Sequence, residues 1–360
     1  MNIIREIKNW WWSIDKWILF TTILLLLFGL MLTLSGSSKI EYKYDYPTGY
    51  LFNKQIIFVV VSLLVILISS MLSVKNLIFF SISTFFIFII LSFLPIFQEE
   101  IKGASRWIKF FNFSIQPSEF LKPTFIIMSA LLLSRYKKKA DNSFFLNFLL
   151  FSLLGFVLFL QPDFGMFVLF FLTWFVQLIL VGLPFKFMSL IILFGSLIFI
   201  MSFLTHEHIR FRILNYFNSD IGDNYQVNKA IESFSNGGFF GTGLGGGFFS
   251  KSLPDVHSDF IFALAGEELG FVFLCFIIFL YIILFYRVVS SMVNERNLFV
   301  FLSASSLILI LIFQCLINIS SAVNLIPTKG MTLPFLSYGG SSLLSCSLII
   351  GFLLALTKKN

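Results

Sequence analysis

The sequence predicts an all-α polytopic membrane protein: about ten transmembrane helices, with one long extracytoplasmic loop between the seventh and the eighth. Three observations carry that reading. Of the 360 residues, 58% are hydrophobic and 12% are charged, where a soluble domain carries about 25% charged residues. The apolar residues gather in runs close to the ~20 residues that a helix needs to cross the hydrocarbon core. Basic residues concentrate in short segments between alternate runs, as a membrane topology requires. Strands facing lipid are excluded, because an unpaired backbone group in hydrocarbon costs several kcal/mol. The whole chain, 1–360, therefore reads as a single helical membrane domain, with 205–258 a large loop within it.

The runs fall in order at roughly 17–35, 55–72, 76–96, 118–134, 144–161, 164–182, 185–204, 260–286, 298–320 and 340–356. The amino-terminal stretch MNIIREIKNWWWSIDK has no cleavable signal pattern and no small-residue cleavage site follows it, so the first run reads as a retained span. Only Gln161, Pro162 and Asp163 separate the fifth run from the sixth. One set of connecting segments holds Arg5, Lys8, Lys16, Lys75, Arg135, Lys137, Lys138, Lys139, Lys186, Arg287, Arg296, Lys358 and Lys359 in short stretches. The basic residues of the opposite set, Lys39, Lys43 and Lys54 among them, are spread over far more chain. The positive-inside rule then puts both termini in the cytoplasm of a multi-pass inner-membrane protein.

Composition excludes other classes. The net charge of +7 sits beside apolar runs, which suits topology and anionic headgroups and argues against nucleic acid. Cys275, Cys315 and Cys346 fall inside apolar runs without metal or CxxC spacing, so they read as small buried hydrophobes. No internal repeat is evident, which weakens a transporter built on inverted repeats.

Three segments on the outer side, 97–117, 205–258 and 321–339, are too long for plain connectors. Charged residues near them are the candidates for chemistry. Glu119 and Lys122, three apart, share a helical face and can pair. Asp163 opens the sixth run and Asp259 the eighth, with Glu267 and Glu268 roughly 12 Å deeper along a continuous helix. For each of these a structural ion pair within the bundle is the plain alternative. Asp259 stands apart, because a carboxylate at the water–membrane boundary beside a long polar loop can reach a polar headgroup substrate. The run Gly237, Gly238, Gly241, Gly243, Gly245, Gly246 and Gly247 is either a flexible linker or a set of exposed backbone N–H groups for a phosphate or sugar. Its GxGxxG match at 241–246 has no preceding strand and is discounted. His206, Glu207 and His208 lack metal-ligand spacing, and His257 reads as a local hydrogen-bonding partner. Arg106 and Trp107 suit interfacial anchoring, and equally phosphate pairing and sugar stacking.

Taken together, six stretches carry a resemblance: GASRWI at 103–108, QPSEFLK at 116–122, QPDFG at 161–165, NYQ at 224–226 with the glycines after it, LPDVHSDFIFALAGEELG at 253–270 and LPFLSYGGSS at 333–342. In this order the chain resembles the SEDS family (shape, elongation, division and sporulation), which comprises FtsW and RodA. IPTKGMTLPFLSYGGSS leans toward FtsW through Lys329, Gly330 and Thr332, and Ser105 departs from the residues commonly found there. The resemblance implies ten spans and a peptidoglycan glycosyltransferase that polymerises lipid II, the undecaprenyl-diphosphate-linked disaccharide-pentapeptide, at the division septum. It also implies a class B penicillin-binding protein transpeptidase as partner, along with other divisome proteins. It carries the essential carboxylate onto Asp259, the functional tryptophan onto Trp107, the acid–lysine pair onto Glu119 and Lys122, and a further acid onto Asp163. Arg106, Gly243, Gly245, His257, Ser337 and Tyr338 in the matching stretches join these as candidate substrate contacts.

The expected reaction follows from that chemistry. A carboxylate within hydrogen-bond reach takes the proton from a sugar hydroxyl as it attacks an anomeric carbon, a step worth about 10²–10⁴-fold. Single displacement on an α-linked diphosphate inverts the centre to a β link. Arg106, Lys122, Arg210 and Arg212 are the candidate cations for the departing diphosphate. No motif specifies a cofactor, and a divalent cation, Mg or Mn, is compatible with the leaving group. Two rival readings stand beside this one: a flippase carrying the lipid-linked precursor, and a non-catalytic scaffold of the septal complex.

Overall fold

An apolar run in hydrocarbon has no water to bond, so its backbone closes its hydrogen bonds within a helix. The computed structural model follows that rule and describes residues 3–43, 45–98, 106–110, 113–139, 142–217, 225–327 and 329–358. In chain order the elements are α1 (Ile3–Ser13), α2 (Lys16–Lys43), α3 (Tyr50–Ser70), α4 (Val74–Leu91), β1 (Ile108–Phe110), β2 (Phe113–Ile115), α5 (Pro117–Lys139), α6 (Ser143–Leu160), α7 (Phe164–Val181), α8 (Phe185–Thr205), α9 (Glu207–Phe217), α10 (Tyr225–Gly237), α11 (Ile261–Met292), α12 (Leu298–Ala322) and α13 (Gly340–Leu356). The two strands form an antiparallel hairpin with Ile108 opposite Ile115.

Among the described residues, eight helices are long and apolar enough to cross a membrane: α2, α3, α4, α6, α7, α8, α11 and α12. The expected count of ten is not reproduced by that measure. The two remaining runs are helical but differ in character. α5 carries Glu119, Lys122 and a basic end at Lys137, Lys138 and Lys139, and α13 has only 17 residues. Both lie where protein replaces lipid as the surroundings: α13 packs on α3, α5 and α12, and α5 packs on α4, α6, α7 and α12. That setting is what lets their polar side chains remain buried.

Aromatic rings fill the centre. Phe125, Phe151, Phe170 and Trp174 are fully buried, and Phe151 stacks on Trp174 with ring centroids 4.1 Å apart. A buried polar chain ties α5, α6 and α7 together beside them: Trp174 donates to Asn147, Asn147 to Ser129, and Ser129 to Gln177. Such interhelical hydrogen bonds contribute where lipid offers no hydrophobic drive between helices. Cys315 and Cys346 are buried as expected, but Cys275 is exposed on the outer face of α11.

The eighth run is not one continuous helix. α11 breaks at Gly270, with φ 80° and ψ 176°. A Cβ there would lie 2.4 Å from the nitrogen of Gly241, so only glycine fits. The loop after α10 pairs across the break: Thr242 and Gly243 N–H donate to the carbonyls of Glu267 and Glu268, and Phe271 N–H donates to Gly238. At about 1.5 Å per residue the limb 271–292 is about 33 Å long and covers the ~30 Å hydrocarbon core by itself. Glu267 and Glu268 therefore belong to a separate outer limb and do not lie down one long span from Asp259. The expected loop 205–258 is likewise structured, holding α9, α10 and a 3₁₀ turn at Ser250–Ser252.

Candidate active site

The turn leading into α11, the loop between α12 and α13, the β1–β2 hairpin and the outer ends of α3, α5 and α7 enclose a cavity of about 380 Å³. Arg106, Trp107, Glu119, Asp163, His257, Asp259 and Tyr338 all line it, although they come from five separate stretches of sequence. Asp259 is half-buried. Its N–H donates to the carbonyl of Asp255 at 3.0 Å, and its carbonyl accepts from Asn318 Nδ2 at 3.0 Å. The same Asn318 reaches the carbonyl of Met331, Tyr338 N–H donates to His257, and Ser337 Oγ donates to Ser258. The 331–338 loop is thus stitched to the Asp259 turn along its length. Ser337 belongs to that stitching: it is buried and also accepts from Leu333 N–H, so it supports the cavity from behind and does not line it.

Trp107 directly precedes β1 and lines the cavity. Arg106 is 3.5 Å from the Asp163 carboxylate and donates to the carbonyl of Pro162 at 2.8 Å. Asp163 caps α7 through Met166 N–H and accepts from Gln116. Lys329 lies close by over the ring of Phe164, 4.9 Å from its centroid. Burial pulls its ammonium down to about 8, with the Asp163 carboxylate acting in the opposite direction. Across the cavity, burial followed by the neighbouring Tyr50 and Tyr46 pushes the Tyr338 hydroxyl up to about 12, so it remains a proton donor at any working pH.

A second, apolar groove of about 520 Å³ runs between α7 and α12, with walls that include Phe164, Val168, Leu172, Phe199, Phe313 and Leu316. Arg106 and Lys329 line both the groove and the polar cavity. A long hydrocarbon chain fits the first space, a polar headgroup the second, and the two cations mark the junction.

Besides Ser337, three expected contacts are placed elsewhere. Lys122 is fully buried beneath the cavity floor, 2.6 Å from Glu119 and 2.6 Å from Gln314 Oε1. Gln314 in turn donates to the carbonyl of Thr332, so the pair props the floor and the 331–338 loop, while Lys329 holds the accessible cation position. Gly243 and Gly245 are also not in the cavity. Gly243 pairs with Glu268, and Gly245 N–H donates to Ser35 Oγ. The glycine-rich segment does form a nest of N–H donors, but its anion is internal: Phe248, Phe249 and Ser250 N–H and Asn236 Nδ2 all donate to the Glu267 carboxylate. Arg210 is only in a loose pair with Glu207 on α9. Gly103, Ala104, Ser105, Asn224 and the side chains of His208 and Arg212 lie outside the described residues.

A family model described as "Cell cycle protein", spanning FtsW, RodA and SpoVE, matches residues 16–360. The chain belongs to the FtsW/RodA/SpoVE family. This member is 33% identical to the "Probable peptidoglycan glycosyltransferase FtsW" of Caulobacter vibrioides, over 97% of this chain and 90% of that one. It is also 33% identical to the FtsW of Coxiella burnetii that bears the same name, over 95% and 96%. Its fold is shared with a chain of a complex described as "Structural coordination of polymerization and crosslinking by a peptidoglycan synthase complex", at 23% identity and a TM-score of 0.78 over 96% of this chain and 97% of that one. The RodA of Thermus thermophilus superposes with a TM-score of 0.71 at 23% identity, with the same coverage.

In the linear sequence nothing marks Lys54 or Gln314 as site residues, and Lys329 and Gly330 stand out only as subfamily markers. Lys329 was legible in one respect: it is a lysine beside a glycine in a long outer segment that must fold back onto the bundle. Nothing in the linear order pairs it with Asp163.

Proposed function

We propose that the chain is an inverting peptidoglycan glycosyltransferase that polymerises lipid II on the outer side of the bacterial inner membrane during cell division. The observation that carries the reading is the half-buried Asp259 in a polar cavity that opens, at Arg106 and Lys329, into an apolar groove. The polyprenyl tail of the donor occupies the groove, its diphosphate meets the two cations, and its disaccharide enters the cavity beside Trp107. Asp259 removes the proton from the 4-hydroxyl of the acceptor sugar. The acceptor oxygen bonds to the donor's anomeric carbon as the bond from that carbon to the diphosphate breaks. Arg106 and Lys329 stabilise the charge that develops on the leaving group.

Mg²⁺ needs only one or two protein carboxylates when substrate phosphates complete its shell. Asp255 lines the cavity one turn before Asp259 and would hold such an ion, which would supply charge neutralisation at the diphosphate while Asp259 keeps the role of base. Among the described residues no group of three or more His, Cys, Asp or Glu is arranged as a dedicated metal site.

The relatives named FtsW and the stretch 326–342 support a role at the septum with a class B penicillin-binding protein transpeptidase and other divisome proteins. The basic residues of the short loops support cytoplasmic termini, with 205–258 outside. The test uses the purified full-length chain in proteoliposomes with lipid II and no ATP. Wild type makes glycan, and Asp259→Ala binds precursor without making any. Transbilayer movement of precursor without polymer would replace the enzyme by a flippase.

A further inference from the structure

We infer that the cavity has a second headgroup subsite on its α3 wall, in which Lys54 holds the diphosphate of the acceptor molecule. This rests on the glycosyltransferase reading above. The chemistry sets the need. In joining two lipid-linked saccharides, the donor loses its diphosphate and the acceptor keeps its own, so two anionic headgroups and two membrane-anchored tails approach one carboxylate at once. The groove between α7 and α12 serves one tail, and Arg106 with Lys329 serves one diphosphate.

The α3 wall is built for the other. Lys54 is on α3, which packs on α2 and α13, whereas Lys329 lies over Phe164 at the start of α7, which packs on α5, α6, α8 and α12, so the two ammoniums enter the cavity beside different helices. Lys54 lines that cavity together with Phe58 and Tyr338. Its ammonium lies 4.5 Å from the centre of the Tyr50 ring, and Tyr46 stacks on Tyr50 at 4.8 Å. Tyr338 is 5.2 Å from the His257 ring, two residues from Asp259. Aromatic faces of this kind bind the apolar faces of sugars while a neighbouring cation takes a phosphate. Next to Lys54, α3 turns an exposed apolar face outward through Ile57, Val60 and Leu64. A polyprenyl tail can lie along that face in the bilayer with its headgroup at Lys54. The acceptor's 4-hydroxyl then approaches Asp259 from the α3 side, gives it the proton, and attacks the donor carbon held on the α7 side. The donor's diphosphate leaves along the groove with its bonding electron pair.

The test separates the two substrates. A lipid II analogue inverted at carbon 4 of its terminal sugar can donate but not accept, and one with a phosphonate in place of the anomeric phosphate ester can accept but not donate. Together they give one tetrasaccharide, with a separate KM for each partner. In the full-length chain, Lys54→Ala raises the KM for the acceptor-only analogue roughly tenfold and leaves that of the donor-only analogue within about twofold, as loss of one charge-assisted contact predicts. Lys54→Arg restores the acceptor KM, and Lys54→Gln, of nearly the same length, behaves as Lys54→Ala and guards against a folding defect. An unchanged acceptor KM, or a rise confined to the donor, overturns the subsite. Failure of the wild-type protein to join the two analogues overturns the glycosyltransferase reading itself.

Discussion

Gly330 leaves room beside Asp259: a Cβ on residue 330 would lie 3.2 Å from Oδ2 of Asp259, and the backbone at Gly330 is left-handed, with φ 62°. Glycine suits the position by conformation, and a Cβ there would press the Asp259 carboxylate to give by a few tenths of an ångström. Gly330→Ala adds strain of about 1–2 kcal/mol and pushes the carboxylate away from its position. Turnover should fall severalfold, since the carboxylate shifts by a few tenths of an ångström and a full 1 Å can cost about 10²-fold. Thermal unfolding should change little by comparison. Full activity in Gly330→Ala would show that the carboxylate position is not set by this contact.

Asp259→Asn keeps the shape of the side chain and removes its capacity to take a proton. Polymerisation should fall by about 10²–10⁴-fold with lipid II binding retained. The comparison of turnover and binding in one preparation separates loss of a base from loss of the cavity.

Lys329 gives a pH dependence with a checkable sign. Burial holds its ammonium at about 8. The charged form is the one that meets a diphosphate, so kcat/KM should fall as pH rises through about 8. Folding runs the other way. The unfolded lysine keeps its proton up to the usual 10.5, so between about 8 and 10.5 the unfolded chain binds more protons and stability from this group rises with pH. Activity that falls while the melting temperature holds or climbs identifies titration in place of unfolding. Lys329→Arg should move the activity limb to higher pH.

Lys122 tests the floor of the cavity. Removing one partner of a buried pair leaves the other charge uncompensated, at a cost of about 3–5 kcal/mol. Lys122→Ala should therefore lower stability markedly, measured by unfolding in detergent, and Glu119→Leu with Lys122→Met should recover most of it. A stable single variant that has lost only activity would move Lys122 back among the substrate contacts.

Glu267 tests the internal nest. Glu267→Ala leaves three backbone N–H groups and Asn236 without their acceptor, and the buried one, Ser250 N–H, costs about 1–3 kcal/mol when left unsatisfied. The segment 236–250 should become open to protease cleavage at concentrations that leave the wild-type protein intact.

Much of the architecture was legible because burial in lipid acts on the chain locally. Each apolar run must become a helix wherever it sits, and the runs at 144–161, 164–182 and 298–320 did so within a few residues of expectation. Asp259, Glu119 and Asp163 were visible as charged residues at the ends of such runs, and Trp107 as an aromatic residue in the long segment 97–117. The glycine run left linker and nest open for a physical reason. Its pattern does encode a nest of N–H donors, but the anion that fills it comes from α11, and no spacing announces which carboxylate will arrive. Gly270 was hidden for a similar reason: within an apolar run, a lone glycine gives no sign that another loop will pair across it.

By itself the sequence determined that this chain lives in a membrane as a bundle of helices, since the energetic penalty on exposed backbone and charge in hydrocarbon depends only on composition and order. Tertiary structure alone decided which of its charges face a common cavity. Lys329 and Lys54 come to the cavity beside different helices, and Lys122 is sealed below them, because packing of α3, α5, α7, α12 and α13 sets those distances, and electrostatic attraction depends on distance in space, not along the chain.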